Sequence, residues 1–204
     1  MRKDLTWVVV RLAFSGKMGA GKTSAAEIVA AETGATRMSF ATALKTMCRD
    51  YFGMAKKDRD LLQKVGVALR EVRPSVWTDI VERTLKSRGG RWDVVIDDLR
   101  FPNEAEMLRK HGFIIVEVVA SEETRFKRLG SPTDWAETKD HASETGKIIS
   151  DVVIENNGAR IELVDRVREF LHGDKGEMGP LPVAVGRGNN TPGGGEAGPH
   201  PVQE

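Results

Sequence analysis

Gly16-Lys17-Met18-Gly19-Ala20-Gly21-Lys22-Thr23 spells glycine, four residues, glycine, lysine and a hydroxyl residue, the pattern of a phosphate-binding loop. Its flanks decide the fold. The apolar run Trp7-Val8-Val9-Val10-Arg11-Leu12-Ala13-Phe14 reads as a buried strand, and residues 24–33, rich in Ala, Glu and Ile, read as a helix. Strand, loop and helix in that order are what the motif requires. Glycines admit backbone angles that turn successive N–H groups inward, and the positive end of the helix dipole adds to the field they make. Gly16, Lys17, Gly19, Ala20 and Gly21 thus form a cradle for the phosphates of ATP. Lys22 reaches the β- and γ-phosphates as a point charge, and the Thr23 hydroxyl completes part of a Mg²⁺ shell. The alternative is a Gly-rich strand-to-helix turn that happens to carry lysine.

The 204 residues suffice for one α/β domain with a sizeable core. A net charge of +1 argues neither for a nucleic-acid binder nor for a membrane-surface protein, so any anion site must be local. Cys48, the only cysteine, excludes an intrachain disulfide and multi-cysteine metal sites and fits a reducing compartment. No secretory apolar region is visible in residues 1–6, and no apolar run approaches a membrane span, so a cytosolic location is expected.

Further strands are expected over residues 35–40, 92–96, 113–119 and 152–154. Helices are expected over 41–51, 58–72, 75–86, 101–110, from about 121 to 128, and over 160–171. In the third helix Leu61, Leu62, Val65, Leu69 and Val72 recur at helical spacing and read as a core stripe. Residues 130–143 are polar and without periodicity and read as a mobile lid; residues 173–204, rich in Gly and Pro, are expected to be a disordered tail. Alternating strands and helices imply a three-layer α/β/α fold on a five-stranded parallel sheet, with ligands at the carboxyl ends of the strands. The loop at Gly16, the acids Asp97 and Asp98, the lid and the turn at Asn156 all fall at that edge.

Phosphoryl transfer needs positive charge around phosphates, a held metal and two substrates in line. Asp97 and Asp98, at a strand end, suit orienting Mg²⁺ through water or steering an acceptor, and Asp97 is the metal candidate. Arg100 is suited to a forked grip on phosphate; an ordinary ion pair with Glu104 is its alternative. Arg70 and Arg73, at a helix end before Pro74, can clamp an acceptor's phosphate or be solvated cations suited to the dipole. Arg125 and Arg128, three apart on one helical face, can swing in with the lid; a solvated charged face is the alternative. His141 and Glu144 read as contacts made on closure, and Phe40 and Trp77 as stacking partners of a base or as core aromatics.

The strings GKMGAGKT at Gly16, SFATALK at Ser39, LQKVGVALREVRPSVW at Leu61, VVIDDLRFPNEAE at Val94, DHASE at Asp140 and VIENNGARIELVDRV at Val153 together resemble the deoxynucleoside monophosphate kinases of bacteriophages. These belong to the nucleoside monophosphate kinase group of P-loop NTPases. The resemblance covers the chain from about Leu5 to Leu171, and DDLRFPNE joined to DHASE is its most specific part. It implies a P-loop kinase domain over residues 1–172, with a monophosphate-binding region over about 41–88 and a lid region over about 121–147. The implied activity is transfer of the ATP γ-phosphoryl group, with Mg²⁺, to a deoxynucleoside 5′-monophosphate. By the same resemblance Lys22 and Thr23 hold phosphates and metal, Arg100 contacts phosphate at the transfer point, and Arg70 and Arg73 serve the monophosphate. Arg125 and Arg128 belong to the lid, and Asn157 and Gly158 lie under the adenine. Many family members carry aspartate at the position of Thr23, so the metal role of Thr23 rests on general loop chemistry. The expected partner is the monophosphate, with no nucleic acid and no membrane, in a monomer or homodimer in the cytoplasm of a phage host. SFATALK also resembles dephospho-coenzyme A kinases, so a small-molecule kinase with another acceptor is the nearest rival; a slow ATP-hydrolysing switch or assembly factor is the rival of another class.

Overall fold

The computed structural model describes residues 9–89, 92–130 and 148–173. His141, Glu144, most of the expected lid and nearly all of the expected tail lie outside the described residues. The elements run β1 (Arg11–Ser15), α1 (Lys22–Thr33), β2 (Thr36–Met38), α2 (Ala41–Phe52), α3 (Arg59–Val72), α4 (Val76–Arg88) and β3 (Val94–Ile96). They continue with α5 (Pro102–Lys110), β4 (Ile114–Val119), α6 (Glu122–Leu129), β5 (Val152–Glu155) and α7 (Arg160–His172).

The five strands form one sheet in the order β2-β3-β1-β4-β5, every pairing parallel. Period-two alternation splits the core into two layers. Leu12 and Phe14 of β1, with Val116 and Val118 of β4, pack against Ala25, Ala26 and Val29 of α1 and Leu163, Val167 and Leu171 of α7. Ala13, Val94, Ile96 and Ile115 face the other way, onto Trp77, Val81 and Leu85 of α4 and Ala105 and Leu108 of α5. From β1 the chain crosses by α1 to the β2 side, and from its neighbour β4 it crosses by α6 to the β5 side. Neighbouring strands whose chains depart in opposite directions open a crevice at their carboxyl ends, and the phosphate loop leaves β1 into it.

Three of the boundaries that differ from the sequence reading have a visible local cause. β1 begins at Arg11 because the Val10 N–H is taken by the Asp93 carboxylate, at 2.7 Å. β2 stops at Met38 because the N–H groups of Phe40 and Ala41 each donate to Asp98 at 2.9 Å, turning the chain into α2. α1 begins at Lys22, two residues early, because Gly21 adopts the left-handed conformation at φ 109° and stands as N-cap without a side-chain cap. The stripe on α3 is a further correction. α3 packs chiefly on α2, Gly66 is its one buried residue, Leu69 alone of the stripe reaches the core layer of Trp77, and Val72 is 83% exposed. Leu61, Leu62, Val65 and Leu69 are half-buried, and Val72 lies in the open.

Candidate functional site

The phosphate loop is held by contacts that only its own residues permit. Gly16 has φ 127°, and a Cβ there would overlap the Val118 carbonyl oxygen of β4. A Cβ on Gly21 would overlap Asn156 Nδ2. Asn156 is 6% exposed, and that Nδ2 donates to the Ala20 carbonyl at 2.7 Å. The bond ties the loop to the chain that leaves β5. Because α1 starts at Lys22 with no side-chain hydrogen bond capping it, its leading N–H groups and its dipole are left to the loop's concavity. Lys22 Nζ lies back over the loop and donates to the Gly16 carbonyl at 2.5 Å and the Lys17 carbonyl at 3.0 Å. Thr23 is exposed in the same turn.

The α6 arginines stand against this loop. Arg125 is 7% exposed and donates to the Met18 carbonyl at 3.4 Å. Arg128 donates to the Asn156 carbonyl at 2.9 Å and to the Gly158 carbonyl at 3.1 Å. Asn157 Oδ1 accepts the Ser121 N–H at 2.7 Å, so the start of α6 and the turn before α7 are joined as well. Instead of reaching out from a lid, Arg125 and Arg128 brace the loop in place. Their cations still raise the positive potential beneath it.

The acids at the end of β3 have separate partners. Asp97 pairs with Arg37 at 2.8 Å, and Arg37 also meets Glu27 at 3.4 Å. Asp98 accepts the Ser39 hydroxyl at 2.6 Å along with the N–H groups of Phe40 and Ala41, so it caps α2. That cap sets one wall of a cavity of about 200 Å³ lined by Phe40, Leu44, Arg70, Trp77, Arg100 and Glu104 among others. Phe40 and Trp77 are at once core and wall: both are buried, yet both border the opening. Arg70 lies with its guanidinium 4.5 Å from the Phe101 ring centroid and donates to the Gly66 carbonyl at 3.3 Å. Burial holds its pKa below the usual arginine value. Arg73 does not line this cavity; it turns to Asp79 at 2.6 Å, outside it.

Glu104 was legible only as a possible ion-pair partner of Arg100. In the structure it bonds the main chain instead: Oε2 accepts the N–H of Arg100 at 2.9 Å and of Phe101 at 3.1 Å. Its Oε1 lies 3.9 Å from Arg70. It is 3% exposed, and burial pushes its carboxyl up to about 7, against the opposing pull of the two N–H groups. Asn156 was read only as the start of a turn at this edge, without its bond to the loop. Its position directly after β5, at the edge where the loop lies, was the available signal.

No family model matches the sequence, and no curated protein matches it. Solved structures do match. TT1252 from Thermus thermophilus shares 19% identity at a TM-score of 0.52, over 78% of this chain and 94% of that one. A gluconokinase from Sinorhizobium meliloti 1021 shares 19% identity at a TM-score of 0.50, over 78% and 89%. The chain shares with them its α/β fold on a five-stranded parallel sheet. At this identity the likeness extends to the fold and its sheet, not to the acceptor. No helix among the described residues is long and apolar enough to cross a membrane.

Proposed function

We propose that the protein transfers the γ-phosphoryl group of ATP to a deoxynucleoside 5′-monophosphate. The observation that carries this reading is the cavity at the carboxyl end of β3: Phe40 and Trp77 border the same opening as two guanidinium groups, Arg70 and Arg100. Aromatic walls take a base, and forked cations take a phosphate. In the reaction an oxygen of the acceptor's phosphate attacks the γ-phosphorus, the bond to the β-phosphate oxygen breaks, and ADP leaves as the acceptor becomes a diphosphate. The nucleophile arrives ionised, so positioning and charge stabilisation do the work. Lys22 leaves its two loop carbonyls to meet the β- and γ-phosphates.

Thr23 and Asp97 offer oxygen donors of the kind Mg²⁺ takes. Mg²⁺ would come with ATP, completing its shell from phosphate oxygens and water. Its chemistry there is to neutralise charge on the phosphates.

A second reading, a kinase of a small hydroxyl acceptor such as dephospho-coenzyme A, is favoured by Glu104. A buried carboxyl with a pKa of about 7 in the cavity suits a general base, which a hydroxyl acceptor needs. ADP formation by purified protein with Mg²⁺, measured separately with each deoxynucleoside and ribonucleoside monophosphate and with dephospho-coenzyme A, decides between them. Turnover with deoxynucleoside monophosphates is expected; turnover confined to a hydroxyl acceptor contradicts the reading.

A further inference from the structure

We propose that Glu104 is a positioning residue that holds Arg70 in the empty cavity and surrenders it to the acceptor's phosphate by taking up a proton as the acceptor binds. The inference rests on the reading that an anionic acceptor fills this cavity. The carboxyl is fixed by the first turn of α5, because one oxygen is spent on the N–H groups of Arg100 and Phe101. The other faces Arg70 at 3.9 Å, an ion-pair distance longer than a hydrogen bond. Arg70 is further steadied over the Phe101 ring and by the Gly66 carbonyl, so it keeps its place when the pair with Glu104 is given up. A phosphate drawn to Arg70 therefore arrives beside a buried carboxylate that cannot turn away.

An incoming phosphate and a buried carboxylate side by side at low dielectric do not both stay fully ionised, even with Arg70 and Arg100 at the opening. The charged groups around Glu104 are Arg70 from α3 and Asp98 and Arg100 from the segment after β3. The parts of α2 and α4 that line the cavity, Ala41, Leu44 and Trp77, contribute nothing that titrates. Asp98 is engaged at the start of α2, so the incoming negative charge is met at Glu104. Burial has already brought that carboxyl near neutrality, so it accepts the proton readily at physiological pH. An acceptor phosphate also titrates, near pH 6, but it does so equally in any variant.

Glu104→Gln retains an oxygen for the Arg100 and Phe101 N–H groups and cannot ionise. Calorimetry of each deoxynucleoside monophosphate near pH 7.5, in buffers of different ionisation enthalpy, should show more proton uptake by the wild type than by the variant. From pH 6.5 to 8.5 the ratio of wild-type to variant acceptor KM should rise, approaching tenfold per pH unit above 7, while kcat differs by only a few-fold. Infrared difference spectra of the wild type, which need no variant, should gain a protonated-carboxyl band when the monophosphate is added. Equal proton uptake, parallel KM profiles or no such band overturns the role of Glu104 and leaves the monophosphate reading standing. Binding of none of the monophosphates overturns both. A Glu104→Gln variant that binds a hydroxyl acceptor normally but loses kcat by a factor on the order of 10²–10⁴ overturns the proposal in favour of a general base.

Discussion

The two halves of the sheet's carboxyl edge are built differently. On the phosphate-loop side, backbone carbonyls and N–H groups do most of the work, and each side chain that touches the loop, Asn156, Arg125 and Arg128, is bonded to its main chain or to the turn beside it. On the cavity side, the surface is made by side chains from α2, α3, α4 and the segment after β3, with one buried carboxyl among them. In the proposed reaction donor phosphates look alike in every nucleotide, so a rigid backbone cradle would suffice, whereas an acceptor must be told from its analogues, a task for side chains. Rigidity on one side and titratable, half-buried charge on the other follow from those tasks.

The largest expected effect lies on the donor side. Lys22→Ala should lower kcat by a factor on the order of 10²–10³ while the circular-dichroism spectrum is unchanged, since its bonds are to loop carbonyls and no core contact is lost. A collapsed spectrum would show that Lys22 holds the fold and not the phosphates. Next comes the cradle itself. Gly21→Ala puts a methyl group on Asn156 Nδ2 at a positive φ, and should cost about 2–4 kcal/mol in urea unfolding together with ATP affinity. Gly34→Ala also has positive φ but meets open space, so it should cost only about 1 kcal/mol and leave ATP affinity intact. Equal losses at the two positions would remove the argument that the loop is locked through Asn156.

The cavity side is sharpened by pH. Glu104 has its folded pKa raised from 4.5 to about 7, so the stability it contributes is full below pH 4.5 and is lost as pH rises through 7. Glu104→Gln should therefore match the wild type near pH 4.5 and exceed it by about 1–3 kcal/mol at pH 8 in thermal or urea unfolding. An unchanged or lower stability at pH 8 would show that the carboxylate is well compensated. The smallest effect is expected at Arg73, whose guanidinium is engaged by Asp79 outside the cavity: Arg73→Ala should change acceptor KM less than about threefold. A large rise in KM would mean that Arg73 swings into the site.

The donor half was legible in the sequence because it is contiguous. One eight-residue string between an apolar run and a helix names the loop, and the parallel five-stranded sheet follows from the alternation around it. The cavity half was legible only in outline. Arg70, Arg100, Phe40 and Trp77 could be named, but nothing in spacing shows that Arg73 turns away to Asp79 while Arg70, three residues earlier, turns inward. Glu104 was hidden because its surroundings are tertiary: Arg70 of α3, Trp77 of α4 and the segment after β3 meet at the same cavity. Arg125 and Arg128 were placed on the correct helix, yet their engagement with Met18, Asn156 and Gly158 is a tertiary fact that helical periodicity does not carry. The α3 stripe misled for the same reason: period 3.6 marks an apolar face, and not what that face meets.

The central claim is that one edge of the sheet holds the ATP phosphates at Lys22 and an acceptor's phosphate at Arg70. The most direct test is equilibrium binding of a two-headed analogue in which adenosine and a deoxynucleoside are joined through a chain of phosphates. The account predicts that Lys22→Ala and Arg70→Ala each weaken its binding at least about tenfold, whereas Arg70→Ala leaves ATP binding within about twofold. Weakening by Lys22→Ala alone, with Arg70→Ala binding the analogue as the wild type does, would contradict it.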